Sequence, residues 1–356
     1  MIAPPFERVV VDADVADLPF SRRFLRAVAG SVPVAVLEPG SPVPKGNRTV
    51  HLTREPGAFV KPCPCSPGAV RCGYWVLTPA LQCPFACTYC FLRFYAPDAP
   101  LTLYANLEDA ERQFRGVVAD WKGPVRLGTG EFSDSLALDP WTRHSHWLTG
   151  LVAPHPNVVL ELKTKSGRVE SLLESAPAPN VVVAWSVNPA ERVASDEPGS
   201  AHLEERLRAA SSVAAAGYRV GFHLDPIIYD EGWEAEYRDL IGRIFEAVDP
   251  VKVAWVSLGT LRFPGRFLDR WGRALRGKSI FFQELLPSED GKLRYFWPLR
   301  REMNRQLARE LRRAGGAGLR VYLCMESERM WAAALGWVPA SGDVERYLTE
   351  PAGIGR

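Results

Sequence analysis

Three cysteines in one short stretch are the residues of this 356-residue chain whose types and spacing most clearly indicate chemistry. Cys83, Cys87 and Cys90 follow the pattern C-x3-C-x2-C within LTPALQCPFACTYCFLRFY. Three thiolates can bind three corners of a 4Fe-4S cluster and leave one iron open, whereas electron-transfer clusters usually have four cysteines. A structural zinc site needs a fourth Cys or His, and no histidine lies nearby. The pattern favours an open iron–sulfur cluster; a zinc-stabilised, non-catalytic binding protein is the alternative.

Four further cysteines lie outside this motif. Cys63, Cys65 and Cys72 stand just upstream in KPCPCSPGAVRC, and Cys324 lies far along the chain. The three upstream thiols can ligate an auxiliary iron–sulfur cluster, with Cys324 as a fourth ligand, but we favour the alternative of buried structural thiols. Six cysteines gathered in one segment are more typical of metal or redox chemistry in a reducing cytoplasm than of a disulfide framework.

The elements that must position the three-cysteine motif alternate between short apolar runs and amphipathic helices. Such alternation predicts a parallel sheet that is buried on both faces. Six units of this kind predict an α/β fold, a partial (β/α)6 TIM-like barrel, with the cysteines following the first strand at the C-terminal face where active sites form. The predicted strands cover residues 74–79, 124–129, 157–163, 180–187, 218–224 and 252–258.

Three segments divide the chain in this interpretation. Residues 1–73 are predicted to form a partly irregular N-terminal extension, since stretches such as PGSPVPKGNRT are rich in turn-forming residues. Residues 74–260 form the barrel. Residues 261–356 are predicted to form a C-terminal extension, in which LRREMNRQLARELRRAG (helix), LRVYLCM (strand) and SERMWAAALGW (helix) close the side of the barrel.

Charge and hydropathy limit the partners and the location of the protein. The chain has 43 Lys and Arg against 41 Asp and Glu, and the net charge of +2 is too small to indicate nucleic acid or an anionic membrane. No apolar stretch approaches the ~20 residues that cross a bilayer, and the first residues lack the pattern of a signal peptide. We therefore expect a cytoplasmic protein with no membrane partner.

The cysteine spacing, on the loop after the first predicted strand, resembles the signature of the radical S-adenosylmethionine (SAM) superfamily. The resemblance implies a 4Fe-4S cluster whose open iron binds the amino and carboxylate groups of SAM. An electron from a reductase such as flavodoxin or ferredoxin then cleaves SAM to a 5'-deoxyadenosyl radical, which abstracts a hydrogen atom from a substrate. The resemblance therefore implies an enzyme.

Further positions match residues that bind SAM in that superfamily. Tyr89, just before the last cysteine, matches the aromatic residue that packs on the adenine. Gly130 and Glu131, in GTGE, resemble the glycine-rich motif that meets the methionine amino group. Lys165, in LKTKS, stands where a basic residue can bind the SAM carboxylate. Two residues of AWSVNP resemble the ribose-binding pair: Ser186 and Asn188.

Longer segments resemble the spore photoproduct lyase family, from about residue 61 to residue 337. They include EFSDS, LELKTKSGRVESLL, SDEPGSAHLEERLRAA and AGYRVGFHLDPIIYDEGW. In the true lyases the radical takes hydrogen from a thymine dimer joined through a methylene, and a cysteine, helped by two tyrosines, returns it. Aligning EFSDS places Glu131 where that cysteine would stand and Phe91 at the second tyrosine. A carboxyl O–H bond is far too strong to donate hydrogen as a thiol does.

This departure predicts shared initiation chemistry with a different outcome. We expect a small-molecule or nucleoside substrate, and a DNA lesion repair lyase is the alternative. DNA is a less favoured partner, because Glu302 and Glu310 interrupt the basic helix around residues 299–313, which is more typical of a solvated face.

Two polar residues at a strand end complete the candidate site. His223 and Asp225, in FHLDP, are predicted to point into the mouth of the barrel, where polar groups orient a substrate. Together with Glu131 they are the candidate catalytic residues. A lone histidine is about as often a hydrogen-bonded core residue, so that alternative remains open for His223.

Overall fold

A computed structural model describes residues 3–38, 40–121, 123–271 and 279–349. Residues 272–278 and the two ends of the chain lie outside the described residues. The predicted N- and C-terminal extensions are therefore described only in part. The strands are β1 Arg8–Asp12, β2 Val34–Leu37, β3 Thr49–Thr53, β4 Val60–Pro62, β5 Tyr74–Leu77, β6 Ala80–Leu81, β7 Leu101–Tyr104, β8 Val125–Gly128, β9 Val158–Thr164, β10 Val181–Ser186, β11 Arg219–Ile227, β12 Val253–Thr260, β13 Arg262–Pro264, β14 Leu285–Pro287, β15 Lys292–Tyr295 and β16 Val321–Leu323.

Helices follow most of these strands and cover the sheets. They are α1 Pro19–Val28, α2 Leu92–Tyr95, α3 Leu107–Asp120, α4 Asp139–Thr142, α5 His144–Val152, α6 Glu170–Leu173, α7 Ala190–Asp196, α8 Leu203–Ala215, α9 Trp233–Ala247, α10 Arg266–Trp271, α11 Trp297–Gly315, α12 Glu328–Leu335 and α13 Asp343–Thr349. None of the helices in the described part of the chain is long and apolar enough to cross a membrane.

The largest sheet confirms the predicted partial barrel. Its eight strands run in the order β16-β12-β11-β10-β9-β8-β5-β4. All neighbours from β5 to β16 are parallel, and only β4 is antiparallel, against β5. The six predicted strands are all present as β5 and β8–β12, so the fold is a partial (β/α)6 TIM-like barrel.

The interior of this sheet explains why its sequence reads as continuous apolar runs. Every residue of β10 and β12 is buried, because helices such as α8 and α9 cover one face and the barrel interior covers the other. A charged residue in such a strand is buried whichever face it points to, so its charge needs a buried partner. Glu161, in the middle of β9, is the clearest case, with 2% exposure.

The N-terminal region is more regular than the sequence predicts. Strands β1, β2 and β3 form a parallel sheet, and β7 extends it beside β3. Strands β6 and β7, which flank the cysteine motif, thus belong to a sheet that the first fifty residues begin. The predicted domain boundary at residue 73 stays a prediction. Strands from both sides of it, β1–β3 and β6–β7, build one sheet. The strands here are short, as in RVVVD, and turn-forming residues surround them, so the sequence did not predict this pairing.

The C-terminal region agrees with the predicted helix–strand–helix order. Helix α11 leads to β16, which pairs in parallel with β12 and lengthens the barrel sheet, and α12 follows. A small antiparallel sheet, in the order β13-β15-β14, was not predicted and lies between the barrel and α11 along the chain.

Candidate active site

The three motif cysteines lie on one loop between β6 and α2, and their thiols are free. Cys87 is buried, whereas Cys83 and Cys90 are partly buried. Burial raises the pKa of each thiol, that of Cys87 to about 12, and the neighbouring cysteines add to the rise at Cys83 and Cys87. A thiolate cluster of this kind needs cations to hold it, so the donor set fits an iron–sulfur cluster.

The geometry of the cysteines argues against a zinc site. Among the described residues, no three Cys, His, Asp or Glu side chains are grouped to hold a single metal ion. A cubane cluster has no such requirement, because each cysteine binds a different iron. The zinc alternative is therefore not favoured.

Main-chain hydrogen bonds join the cysteine loop to the segment that follows α7. Ala86 N donates to the carbonyl of Pro198 at 2.9 Å, and Thr88 N donates to the carbonyl of Asp196 at 2.8 Å. The Thr88 hydroxyl also donates to Asp196 Oδ1 at 3.1 Å. The loop that carries the thiols and the segment 196–198 are therefore held together as one unit.

Glu197, in the middle of that segment, is a fully buried carboxylate with four partners. It forms ion pairs with Arg206 (2.5 Å) and Lys165 (3.5 Å). It accepts hydrogen bonds from the Tyr89 hydroxyl and from Asn188 Nδ2, the latter at 3.0 Å. Burial alone would raise its pKa, but Lys165, Arg206 and these hydrogen bonds lower the pKa to about 2. The sequence interpretation missed Glu197 altogether.

Four of the predicted SAM-binding residues lie around Glu197, whereas Gly130 and Glu131 lie beside Lys163. The Lys165 ammonium stands 5.7 Å from the centre of the Tyr89 ring. Asn188 is fully buried, and its Oδ1 accepts a hydrogen bond from the Tyr237 hydroxyl at 3.0 Å. Ser186 is buried next to it on β10, and its carbonyl accepts from Arg206 at 2.8 Å. The structure thus brings these residues together, and their roles toward SAM stay predictions.

Charged residues at alternate positions of β9 form a row inside the barrel. Side chains two residues apart on a strand share a face, and Glu161, Lys163 and Lys165 follow this period from the middle of β9 to just beyond its carboxyl end. We call them the β9 row. Glu161 lies deepest, and Lys165 reaches Tyr89 and Glu197.

Glu161 belongs to a fully buried network. It pairs with Arg126 at 3.3 Å, is hydrogen-bonded to His223 Nε2 at 2.8 Å and accepts a hydrogen bond from Trp255 Nε1 at 3.1 Å. Burial lowers the pKa of His223, so the imidazole is neutral near pH 7. Burial would raise the pKa of Glu161, but the hydrogen-bonded His223 and the Arg126 guanidinium lower it.

His223 is 4% exposed and bonded to Glu161, which is how a hydrogen-bonded core histidine behaves. This supports the alternative that the sequence leaves open, because Glu161 of β9, two strands away in the sheet, gives the imidazole a buried partner. The orientation of His223 toward the mouth stays a prediction. A catalytic role for His223 stays a prediction.

The mouth itself holds the other two candidate catalytic residues. Asp225 forms a two-pronged ion pair with Arg262, at 3.0 and 3.1 Å. Gly259 leaves room for this pair, since a Cβ there would lie 2.8 Å from Asp225 Cγ. Burial raises the pKa of Glu131, and the nearby Lys163 and Arg262 only partly offset the rise.

Gly130 allows β8 and β9 to approach closely beside Glu131. A Cβ on Gly130 would stand 2.6 Å from Lys163 Cβ and 3.0 Å from its carbonyl oxygen. Only glycine fits here, which gives the predicted GTGE motif a packing role. The neighbouring Asp134 orders the same loop, because its carboxylate accepts from Thr164 Oγ1 and Lys165 N, both at 2.6 Å.

The upstream cysteines and Cys324 meet at one side of the mouth. An Arg262 nitrogen lies 3.8 Å from Cys324 Sγ. Burial raises the pKa of Cys72, Cys63 and Cys324, that of Cys324 to about 12. All of these thiols are free, and within the described ranges they form no metal-holding group. Nothing in the structure or in the comparisons supports the auxiliary cluster, and the four thiols are partly buried.

Comparison with known proteins points to one family. The model of the family "Spore photoproduct lyase" matches residues 73–263. A spore photoproduct lyase from Geobacillus sp. (strain Y412MC61) is 30% identical over 57% of this chain and 66% of its own length. One from Bacillus subtilis (strain 168) is 28% identical over 48% of this chain and 50% of its own. The alignments thus span less than two thirds of these relatives.

Solved structures of the same enzyme share the fold. A variant of spore photoproduct lyase with dinucleoside spore photoproduct has a TM-score of 0.76 and 19% identity, over 89% of this chain and 98% of that chain. Another, with bound AdoMet and dinucleoside spore photoproduct, has a TM-score of 0.74 and 20% identity, over 90% of this chain and 99% of that chain.

Proposed function

Because this chain belongs to the spore photoproduct lyase family of the radical SAM superfamily, we propose that it is a radical SAM enzyme that abstracts hydrogen from a small molecule or nucleoside. Cys83, Cys87 and Cys90 would hold a 4Fe-4S cluster. When bound, the cluster and SAM supply the reductive cleavage that starts radical chemistry. The observation that carries the proposal is the cysteine loop hydrogen-bonded to the segment of Glu197.

The residues around Glu197 would bind and orient SAM. Tyr89 is held by its hydrogen bond to Glu197, which fixes the ring that would pack on the adenine. Lys165 lies between Glu197 and the cysteine loop, where its charge can meet a carboxylate. Arg206 also pairs with Glu197, so Lys165 can turn to a ligand without leaving this carboxylate unpaired.

The substrate side differs from that expected of a thymine-dimer lyase. Glu131 occupies the position that the family resemblance gives to the hydrogen-donating cysteine. Its carboxyl group can bind a polar substrate or move a proton, but it does not return a hydrogen atom. With the Asp225–Arg262 pair beside it, the mouth is suited to a polar substrate.

Repair of a DNA lesion is the second candidate. It is favoured by the fold shared with spore photoproduct lyase structures that contain dinucleoside spore photoproduct, over 98% or more of those chains. A thiol from another strand, such as Cys63 near Glu131, would then have to replace the missing donor.

A reductase such as flavodoxin or ferredoxin would supply the electron. A groove of about 590 Å³, lined mostly by residues 166–170 and 199–212, also includes Phe85, which lies between two of the motif cysteines. A partner seated there would approach the cluster without entering the mouth. Seven free cysteines fit a reducing, cytoplasmic location.

Anaerobic reconstitution tests the proposal. Iron and sulfide are measured, and 5'-deoxyadenosine is followed by chromatography after dithionite and SAM are added. We expect about four irons per chain and 5'-deoxyadenosine that disappears in Cys87→Ala. The matched control, Cys324→Ala, keeps the four irons.

Two other results would change the interpretation. Zinc without iron, or a cluster that never cleaves SAM, contradicts the proposed function. Conversion of dinucleoside spore photoproduct to its two thymidines would establish the second candidate in place of the first.

A further inference from the structure

Lys163, the middle residue of the β9 row, has no role in the proposed cofactor site. Its neighbours on the same strand face are both engaged: Glu161 below it with Arg126 and His223, and Lys165 above it with Glu197. One strand period, about 6.6 Å, separates each member of the row from the next. Lys163 therefore lies between the closed network below and the predicted SAM site above.

The Lys163 ammonium has no direct partner in the described part of the chain. No carboxylate lies within 4 Å of it, and it makes no hydrogen bond, in contrast to the other two members of the row. Asp225 and Glu131 are the acidic groups that act on it most, from a longer distance, with Cys324 and Glu161 behind them. An inward-pointing cation without a partner is costly unless something else binds it.

The acidic groups nearby cannot neutralise Lys163 on their own. Asp225 is already paired through both oxygens with Arg262. Glu131 forms no ion pair or hydrogen bond within the described residues, with Lys163 or with any other group. Lys292, the next cation, pairs with Asp290. Among these cations, Lys163 is thus the one without a direct counter-ion in the described part of the chain.

We propose that Lys163 anchors the substrate through an oxyanion group, a carboxylate or a phosphate, which binds its ammonium beside Glu131. The proposal rests on the proposed function, since it assumes that the mouth is the substrate site. Gly130 supports it, because its close packing against Lys163 Cβ fixes the base of the Lys163 side chain next to Glu131. Glu131 then receives a hydrogen-bond donor of the same substrate.

Calorimetric titration of the reconstituted protein tests the anchor with simple probes: inorganic phosphate and, separately, sodium acetate, at constant ionic strength. We expect the wild type to bind at least one of them at a single site. Lys163→Met should weaken that binding about tenfold or more, the equivalent of about 1.4 kcal/mol. Lys163→Arg, which keeps the charge, should retain most of it.

The matched control is Lys61→Met, which removes an exposed lysine of β4 and should bind like the wild type. Binding of phosphate alone identifies a phosphorylated substrate such as a nucleotide, and binding of acetate alone identifies a carboxylate. If Lys163→Met binds both probes as the wild type does, or if the wild type binds neither, the proposal is overturned.

SAM titration separates this proposal from the proposed function. Lys163→Met should bind SAM with unchanged affinity; a loss would assign Lys163 to the cofactor and overturn its role as substrate anchor. Failure to form 5'-deoxyadenosine in the wild type would contradict the proposed function, whereas the anion titrations do not depend on turnover.

Discussion

Glu197 and Glu131 are two carboxylates near the carboxyl ends of the barrel strands, and the protein treats them in opposite ways. Glu197 is fully buried, yet Arg206, Lys165 and two hydrogen bonds lower its pKa to about 2. Glu131 is less buried, but within the described residues it forms no direct ion pair or hydrogen bond, and its pKa is raised.

The difference shows which buried charges serve the fold and which await a ligand. A buried carboxylate with every partner in place, such as Glu197, holds the cysteine loop and its surroundings in one arrangement. A carboxylate beside an unpaired lysine, as Glu131 is beside Lys163, marks a place that the protein has not completed by itself.

Replacement of Glu197 should have the largest effect. Glu197→Gln leaves the fully buried Arg206 without its counter-charge, and the loss of one partner of a buried ion pair costs about 3 kcal/mol or more. The free energy of unfolding, measured with urea on the chain before cluster reconstitution, should fall by that amount.

The control for this change is Glu289→Gln, which alters an exposed carboxylate of a turn and should stay within about 0.5 kcal/mol of the wild type. A loss below about 1 kcal/mol in Glu197→Gln would mean that the partners of Glu197 are not bonded as the structure shows.

The pH dependence of stability should have opposite signs at the two sites. The pKa of Glu197 is lowered, so its contribution is complete above the ordinary value of 4.5 and is lost as pH falls toward about 2. The pKa of Glu131 is raised, so its contribution is present below 4.5 and is lost as pH rises through its folded value.

Urea unfolding between pH 3 and pH 7 measures how the contribution of each carboxylate to the free energy of unfolding changes with pH. The gap between wild type and Glu197→Gln should narrow as pH falls below 4.5, and the gain from Glu131→Gln should grow as pH rises above it. Parallel curves for the two variants would show that the two carboxylates titrate alike and would remove the distinction between them.

Replacement of Glu131 should have the smallest effect on stability. Glu131→Gln removes a carboxylate that burial disfavours, but it also removes a charge that acts on Lys163 from a distance. These two effects oppose each other, and we expect a change of less than about 1 kcal/mol at pH 7. A loss above 2 kcal/mol in the same urea measurement would place Glu131 in the class of Glu197.

The barrel could be predicted from the sequence because its strands are buried on both faces. Runs such as those of β10 and β12 are apolar throughout, and the helices between them have a regular amphipathic pattern. The N-terminal sheet could not be predicted in the same way. Its strand β7 pairs with β3, although β5 and the cysteine loop separate the two strands along the chain. A local sequence pattern does not indicate so distant a partner.

The site was predicted where spacing along the chain carries the chemistry, as in the three cysteines. Glu197 was missed because its partners Lys165, Asn188 and Arg206 come from different elements. A signal did exist: Arg206 stands on the buried face of α8 between Leu203 and Leu207, and a charged residue there requires a buried counter-charge. The same logic applies to Glu161 within the apolar run of β9.

The β9 row also bears on how this protein could diversify. Its three charged residues serve separate tasks, yet they lie two positions apart on one strand, so each codon can change without shifting the register of the others. We expect exchange of the middle residue to alter what the mouth attracts while the network below and the predicted cofactor contacts above stay in place. A descendant enzyme can thus acquire a new substrate through a single mutation and inherit its radical chemistry intact.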